Sequence, residues 1–212
     1  YADTENKYVL KNLNFKIKFG SRIGIIGKSG AGKSTLLDLI MGILNPTKGK
    51  ILVDGKPILD RKNSWYLNVA GVSQNIFITD QTIAENIAFS ESLKKINFKK
   101  LKTSAEMANI SKFIENRENK YLSLVGEKGL KISSGQRQRL AIARALYKKS
   151  KLIVFDEATN ALDANSEKNI FKTIFGLSRK KYTLIIVSHK KNNLKNCDFI
   201  YKIQNSKLYK VK

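Results

Sequence analysis

Residues 21–35, SRIGIIGKSGAGKST, constrain the fold more than any other stretch of this chain. SRIGIIG (21–27) reads as a short buried strand, followed by a glycine-rich turn and a helix that starts near Lys33. The run satisfies G-x-x-x-x-G-K-[ST] at Gly27, Gly32, Lys33 and Ser34. Glycines let the backbone wrap closely, so successive N–H groups and the helix N-terminus can point at phosphate oxygens. A plain glycine turn would also join strand to helix, but the strand before and the helix after give the pattern its phosphate-binding context. The expected contact run is Gly27, Lys28, Ser29, Gly30, Ala31, Gly32, Lys33, Ser34 and Thr35. In it Lys33 reaches the β- and γ-phosphates, and Ser34 offers its hydroxyl to Mg²⁺.

Further apolar runs extend the pattern. KILVDGKPI (50–58) predicts a hairpin turned by Asp54-Gly55. NVAGVSQ (68–74), KLIVFDE (151–157) and YTLIIVSH (182–189) read as strands, with a helical stretch at about 166–177. From about Asn75 to Lys149 the pattern is mostly helical, polar and lysine-rich. Strands alternating with helices predict an α/β fold with a parallel sheet covered on both faces. The chain has 212 residues, 42% of them hydrophobic, which suits a single domain. We expect its core at 1–74 and 150–212, with a helical insertion at about 75–149.

KLIVFDE ends on two adjacent carboxylates, Asp156 and Glu157. Beside a phosphate loop, a strand-end Asp can hold Mg²⁺ and a neighbouring Glu can polarise water as a general base. Cys197 is the only cysteine, so no internal disulfide forms, and a small buried apolar side chain is its expected role. The formal charge of +23 comes from 40 Lys+Arg against 17 Asp+Glu. Its lysines are scattered pairs with little aromatic interleaving, so no nucleic-acid partner is expected, and an anionic membrane surface suits them better. No run of 18 or more apolar residues is present, so no transmembrane helix lies in this stretch. The chain opens at Tyr1 without a methionine or a basic-then-apolar leader, and we expect it to be part of a longer polypeptide.

The phosphate loop, the carboxylate pair and ISSGQRQR (132–139) together resemble the nucleotide-binding domain of ATP-binding cassette (ABC) transporters. The likeness runs over essentially the whole chain in the family's order. It implies a P-loop ATPase fold with a RecA-like parallel-sheet core, a small antiparallel β region and an inserted α-helical subdomain. It also implies Mg²⁺ as cofactor, with ATP as substrate. Tyr1 matches the aromatic that stacks on adenine, with Tyr8 as the alternative. Gln74 matches the glutamine that meets Mg²⁺ or water beside the contact with a membrane domain. Ser133, Ser134, Gly135 and Gln136 match the signature that meets the γ-phosphate held by a second cassette. Asp163 matches the aspartate of the D-loop. His189, the only histidine, matches the switch histidine. Lys33, Gln74, Glu157 and His189 are thus the catalytic candidates, and Ser34, Gln74 and Asp156 the candidate Mg²⁺ ligands.

Two positions depart from the family pattern. Ser134 stands where glycine is usual, so its Cβ either crowds an approaching phosphate or its hydroxyl adds a donor; tolerance is the favoured reading. Asn160 stands where serine is common. TIAENIAF (82–89) and VGEKGLKIS (125–133) resemble the exporter branch, in texture similar to flippases of lipids and lipid-linked saccharides or to peptide exporters. That resemblance implies a second cassette, expected to be another copy of this chain, as partner in a head-to-tail dimer. It also implies a membrane domain fused N-terminally and a place on the cytoplasmic face of the inner membrane. A soluble cassette ATPase, a silent cassette and an importer subunit are the competing readings.

Overall fold

Fully apolar strands need cover on both faces, and this requirement organises the molecule. In the computed structural model, residues 8–126, 132–159 and 162–212 are described. Tyr1, Asn160 and residues 127–131 lie outside them, and so does the 127–131 part of the predicted exporter-like segment 125–133.

The strands are β1 (Arg22–Gly27), β2 (Leu52–Val53), β3 (Lys56–Pro57), β4 (Val69–Ser73), β5 (Leu152–Asp156), β6 (Thr183–Val187), β7 (Phe199–Gln204) and β8 (Lys207–Lys210). The main sheet runs β4-β5-β6-β1-β7-β8, parallel throughout except for the antiparallel edge strand β8. β5 and β6 are neighbouring interior strands and are buried along almost their whole length. Alternate residues serve opposite faces. Ile153, Phe155, Leu184 and Ile186 join one apolar core, while Leu152, Val154, Ile185 and Val187 join the other.

Helix α1 (Lys33–Met41) and the N-terminal residues Leu10, Leu13, Phe15 and Ile17 belong to the second core. Trp65 packs there too, on α2 (Lys62–Asn68), and its indole N–H donates to the Ile40 carbonyl at 2.9 Å. The first core is larger. It takes in α3 (Ile83–Ile87), α4 (Phe98–Met107), α5 (Ser111–Glu115), α6 (Ser134–Lys148) and α7 (Ala164–Gly176). The predicted Asp54-Gly55 turn joins β2 to β3, with φ of 49° and 77° at its two central residues, as a tight two-residue hairpin demands.

Two elements were not predicted from the sequence. One is α2. The other is the C-terminal hairpin of β7 and β8, turned by Asn205 and Ser206 with φ of 50° and 61°. Its alternation, FIYKIQ-NS-KLYK, is present in the sequence.

Candidate nucleotide site

The carboxyl ends of parallel strands are where α/β sheets bind ligands, and here four adjacent or near-adjacent strand ends bring the predicted residues together. β1 delivers the glycine loop. Gly32 caps α1 with φ 97°, and a Cβ there would sit 3.0 Å from Val9 and Leu10 side-chain atoms. Only glycine meets both demands. The same packing puts the segment of Tyr8 against the loop, with the Tyr8 ring itself exposed. Lys28, Ser29 and Gly30 are exposed, while Ala31 and Thr35 are half-buried.

Lys33 is buried, and its ammonium donates to the carbonyls of Gly27 and Lys28, both at 3.1 Å. The loop therefore folds around its own cation. Ser34 Oγ donates to Asp156 Oδ2 at 3.3 Å, one residue beyond Lys33 and at the last residue of β5. Burial pushes the Asp156 carboxyl up; the Ser34 hydrogen bond works against that shift, and the nearby Glu157 charge adds to it.

Glu157 follows in the left-handed region, φ 49°. A side chain there costs roughly 1–2 kcal/mol, and such strain collects at working sites. The result is a carboxylate turned back over the loop. Its Oε1 lies 2.8 Å from His189 Nε2 and 3.4 Å from Lys33 Nζ. His189 stands two residues past β6, half exposed. Gln74 stands one residue past β4, where Ser73 is in register with Asp156, and is exposed on the same edge. Lys33, Ser34, Asp156, Glu157 and His189 thus meet through direct contacts, and Gln74 joins them by strand register.

The donor chemistry fits Mg²⁺. A hydroxyl and a carboxylate in contact are hard oxygen ligands, and Mg²⁺ characteristically takes one or two such groups and completes its shell from phosphates and water. Among the described residues no cluster of three or more His, Cys, Asp or Glu could cage a metal unaided.

The signature residues form a second group. Ser133 caps α6, its Oγ accepting from the Gln136 N–H at 3.2 Å while Gln136 Oε1 accepts from the Ser133 N–H at 2.8 Å. This reciprocal capping box leaves the amides of Ser134 and Gly135 without acceptors inside the helix. Ser134 is the first helical residue and is not in the left-handed region, so its backbone does not require glycine. Asp163 caps α7, Oδ1 accepting from the N–H groups of Asn165 and Ser166 at 3.0 Å each. Hydrogen bonds from Ser166 hold the Asp163 carboxyl below the usual range. The two helix starts are neighbours, since a Cβ on Gly135 would lie 3.7 Å from Ser166 Oγ. Glu167, a buried acid that contacts the loops behind Glu157 and His189, was not predicted from the sequence. Its partners Lys190 and Asn193 are 23 and 26 residues away, and no local pattern joins them.

The family model described as ABC transporter matches residues 10–160. The ATP-dependent lipid A-core flippase of Blochmanniella pennsylvanica is 40% identical over 95% of this chain, and ATP-binding cassette sub-family B member 5 of Mus musculus is 38% identical over 94%. The chain spans 34% and 16% of those two relatives' own lengths. Among solved structures, a bacterial Atm1-family ABC exporter with ATP bound superposes with a TM-score of 0.86 at 33% identity, covering 99% of this chain and 36% of that one. The family model covers well over half of the chain and these likenesses span nearly all of it: this chain belongs to the ABC transporter family.

Proposed function

We propose that this chain is the ATP-binding and ATP-hydrolysing motor of an ABC exporter, working as a head-to-tail pair of cassettes. One observation carries the reading. A single carboxylate, that of Glu157, contacts both Lys33 and His189 at the mouth of the glycine loop. Residues that orient water, neutralise phosphate charge and sense the terminal phosphate are thereby gathered within one side chain's reach.

In this reading the nucleotide's phosphates take the loop amides of residues 27–35, and the Lys33 ammonium turns from its own carbonyls to the β- and γ-oxygens. Tyr1, or Tyr8 beside the loop, supplies the aromatic face for the base. Ser34, Asp156 and Gln74 would hold Mg²⁺, which would supply positive charge to offset that of the phosphates. Glu157 orients water for in-line attack, and His189 steadies the γ-phosphate. Ser133, Ser134, Gly135 and Gln136 of one chain meet the γ-phosphate held by the other, with Asp163 beside the seam. Hydrolysis removes the bridging group and the pair reopens. The core 1–74 and 150–212 holds the nucleotide, and the helical part at about 75–149 relays the movement.

Phe77 and Phe89 suit the contact with a membrane domain. They pack edge to face 6.2 Å apart and expose 67% and 45% of their surface, and Phe77 stands three residues past Gln74. No helix among the described residues is long and apolar enough to cross a membrane. A membrane domain fused N-terminally would supply the passage and keep the cassette on the cytoplasmic face of the inner membrane. The named flippase and exporter relatives support export or lipid flipping as the work done.

The test is light scattering of the Glu157→Gln protein with and without Mg-ATP. An ATP-dependent monomer-to-dimer shift, together with loss of turnover, is the expected result. Turnover that survives Glu157→Gln would remove the proposed base.

A further inference from the structure

We infer that Glu167, on α7, is a positioning residue that holds Glu157 and His189 in register by tying together the two loops that carry them. The inference rests on the hydrolytic reading above and adds to it a residue outside the matched motifs.

The Glu167 carboxylate is buried, with 8% of the side chain exposed. A buried carboxylate must be satisfied by donors or be strongly destabilising. Here three donors meet it from two segments, the loop after β5 and the stretch that follows His189. Thr159 Oγ1 donates to Oε1 at 3.0 Å, Asn193 Nδ2 donates to the same oxygen at 2.9 Å, and Lys190 Nζ donates to Oε2 at 2.6 Å. Thr159 lies two residues beyond Glu157, and Lys190 directly follows His189.

The histidine loop is pinned on its other side as well. Ser188 Oγ accepts from the Lys190 N–H and from Asn193 Nδ2, both at 3.2 Å. Both neighbours of His189 are therefore tied into one hydrogen-bonded cluster, and the Glu167 carboxylate lies at its centre. The working contact that this cluster frames is the 2.8 Å pair of His189 Nε2 and Glu157 Oε1, whose two residues stand just past the ends of different strands. Groups behind a site that fix its orientation change its rate roughly 10- to 100-fold when removed. A staple that merely held α7 onto the sheet would have no need to contact both working loops at once.

The chain holds one histidine, so its imidazole gives a single, unambiguous NMR signal. The experiment compares wild type, Glu167→Gln and Lys190→Met, the latter altering a side chain that is 61% exposed and leaving the carboxylate in place. In Glu167→Gln we expect kcat for ATP to fall about 10-fold or more while KM stays within about 2-fold. The His189 signal should move or broaden without added nucleotide, and Lys190→Met should shift both readouts the same way by less. An unmoved His189 signal with unchanged kcat, in either folded variant, overturns the inference. So does a variant whose losses follow its thermal melt while the His189 signal of the folded fraction matches wild type. The imidazole signal needs no turnover, so a wild type that binds ATP without hydrolysing it would sink the hydrolytic reading while this positioning test still reads out.

Discussion

Gly135→Ala separates what the folded chain needs from what a second surface needs. Gly135 lies in the first turn of α6 with an ordinary helical backbone, not a left-handed one. The added methyl would meet Ser166 Oγ at 3.7 Å, Ser166 Cβ at 3.9 Å and Ser133 Oγ at 4.0 Å, all ordinary van der Waals distances. Nothing inside the chain must shift. Replacing glycine by alanine in a helix gains up to roughly 1 kcal/mol, so the melting temperature should hold or rise by about 2–4 °C. If a phosphate held by another copy approaches the Gly135 amide, the methyl stands in its way. Losing one charge-assisted hydrogen bond costs about 1.5–3 kcal/mol, or roughly 10- to 150-fold in rate. The assay pairs a thermal melt with steady-state ATP turnover on the same preparation. Full turnover with an unchanged melt would refute the approach of a second chain at this residue. A melt lowered by about 3 °C or more would refute the packing argument instead.

Three further outcomes follow from particular residues. At Glu157 the usual order of substitutions should reverse: Glu157→Gly should be more stable than Glu157→Ala by about 1 kcal/mol in denaturant unfolding, because both lose the carboxylate and only alanine keeps a Cβ at φ 49°. Cys197 is 2% exposed and burial pushes its thiol up to about 12, so iodoacetamide at pH 8 should leave it unmodified in the native protein and label it on denaturation, as read by mass spectrometry. For Glu167, burial raises the carboxyl, but the hydrogen bonds from Lys190, Asn193 and Thr159 outweigh it and the group ends below its ordinary value. A depressed acid contributes its stability above the unfolded value near 4.5 and loses it as pH falls through the folded one. The stability gap between wild type and Glu167→Gln, followed by denaturant unfolding against pH, should therefore be widest near neutrality and close below about pH 4.5.

The features readable in advance were those written in short stretches of chain. β1, β5 and β6 are mainly apolar runs that lead into chemistry-bearing residues, and near-continuous apolar runs are what buried parallel strands require. Asp54-Gly55 announces its own turn for the same local reason. The conformation of Glu157 was not readable, because a left-handed glutamate is held by its surroundings and not by its own preference. Nor was α2, a short helix with no buried residue in the core-facing pattern that marks longer ones. Glu167 shows the limit most clearly. As a letter in ANSEKNIF it is a surface-type acid in a helix's first turn, and only the meeting of β5, β6 and α7 makes it the buried centre of a cluster.

Ser134 brings these strands of argument together. Its replacement of the usual glycine would matter if the turn into α6 depended on residue 134 for a conformation that only glycine adopts. It does not. The chain enters α6 through Ser133 and Gln136, whose reciprocal hydrogen bonds set the direction of the first turn. Residue 134 simply occupies the first helical position with an ordinary backbone. The amides at 134 and 135 therefore point where the helix start points, whichever small residue stands at 134, and the serine hydroxyl is an added polar group at an anion-seeking helix end. Gly135 differs because it faces α7's start across a gap that a single methyl would fill. Within one four-residue signature, one position is thus free to vary by its geometry, while its neighbour, in the proposed pairing of cassettes, is held by what would approach it.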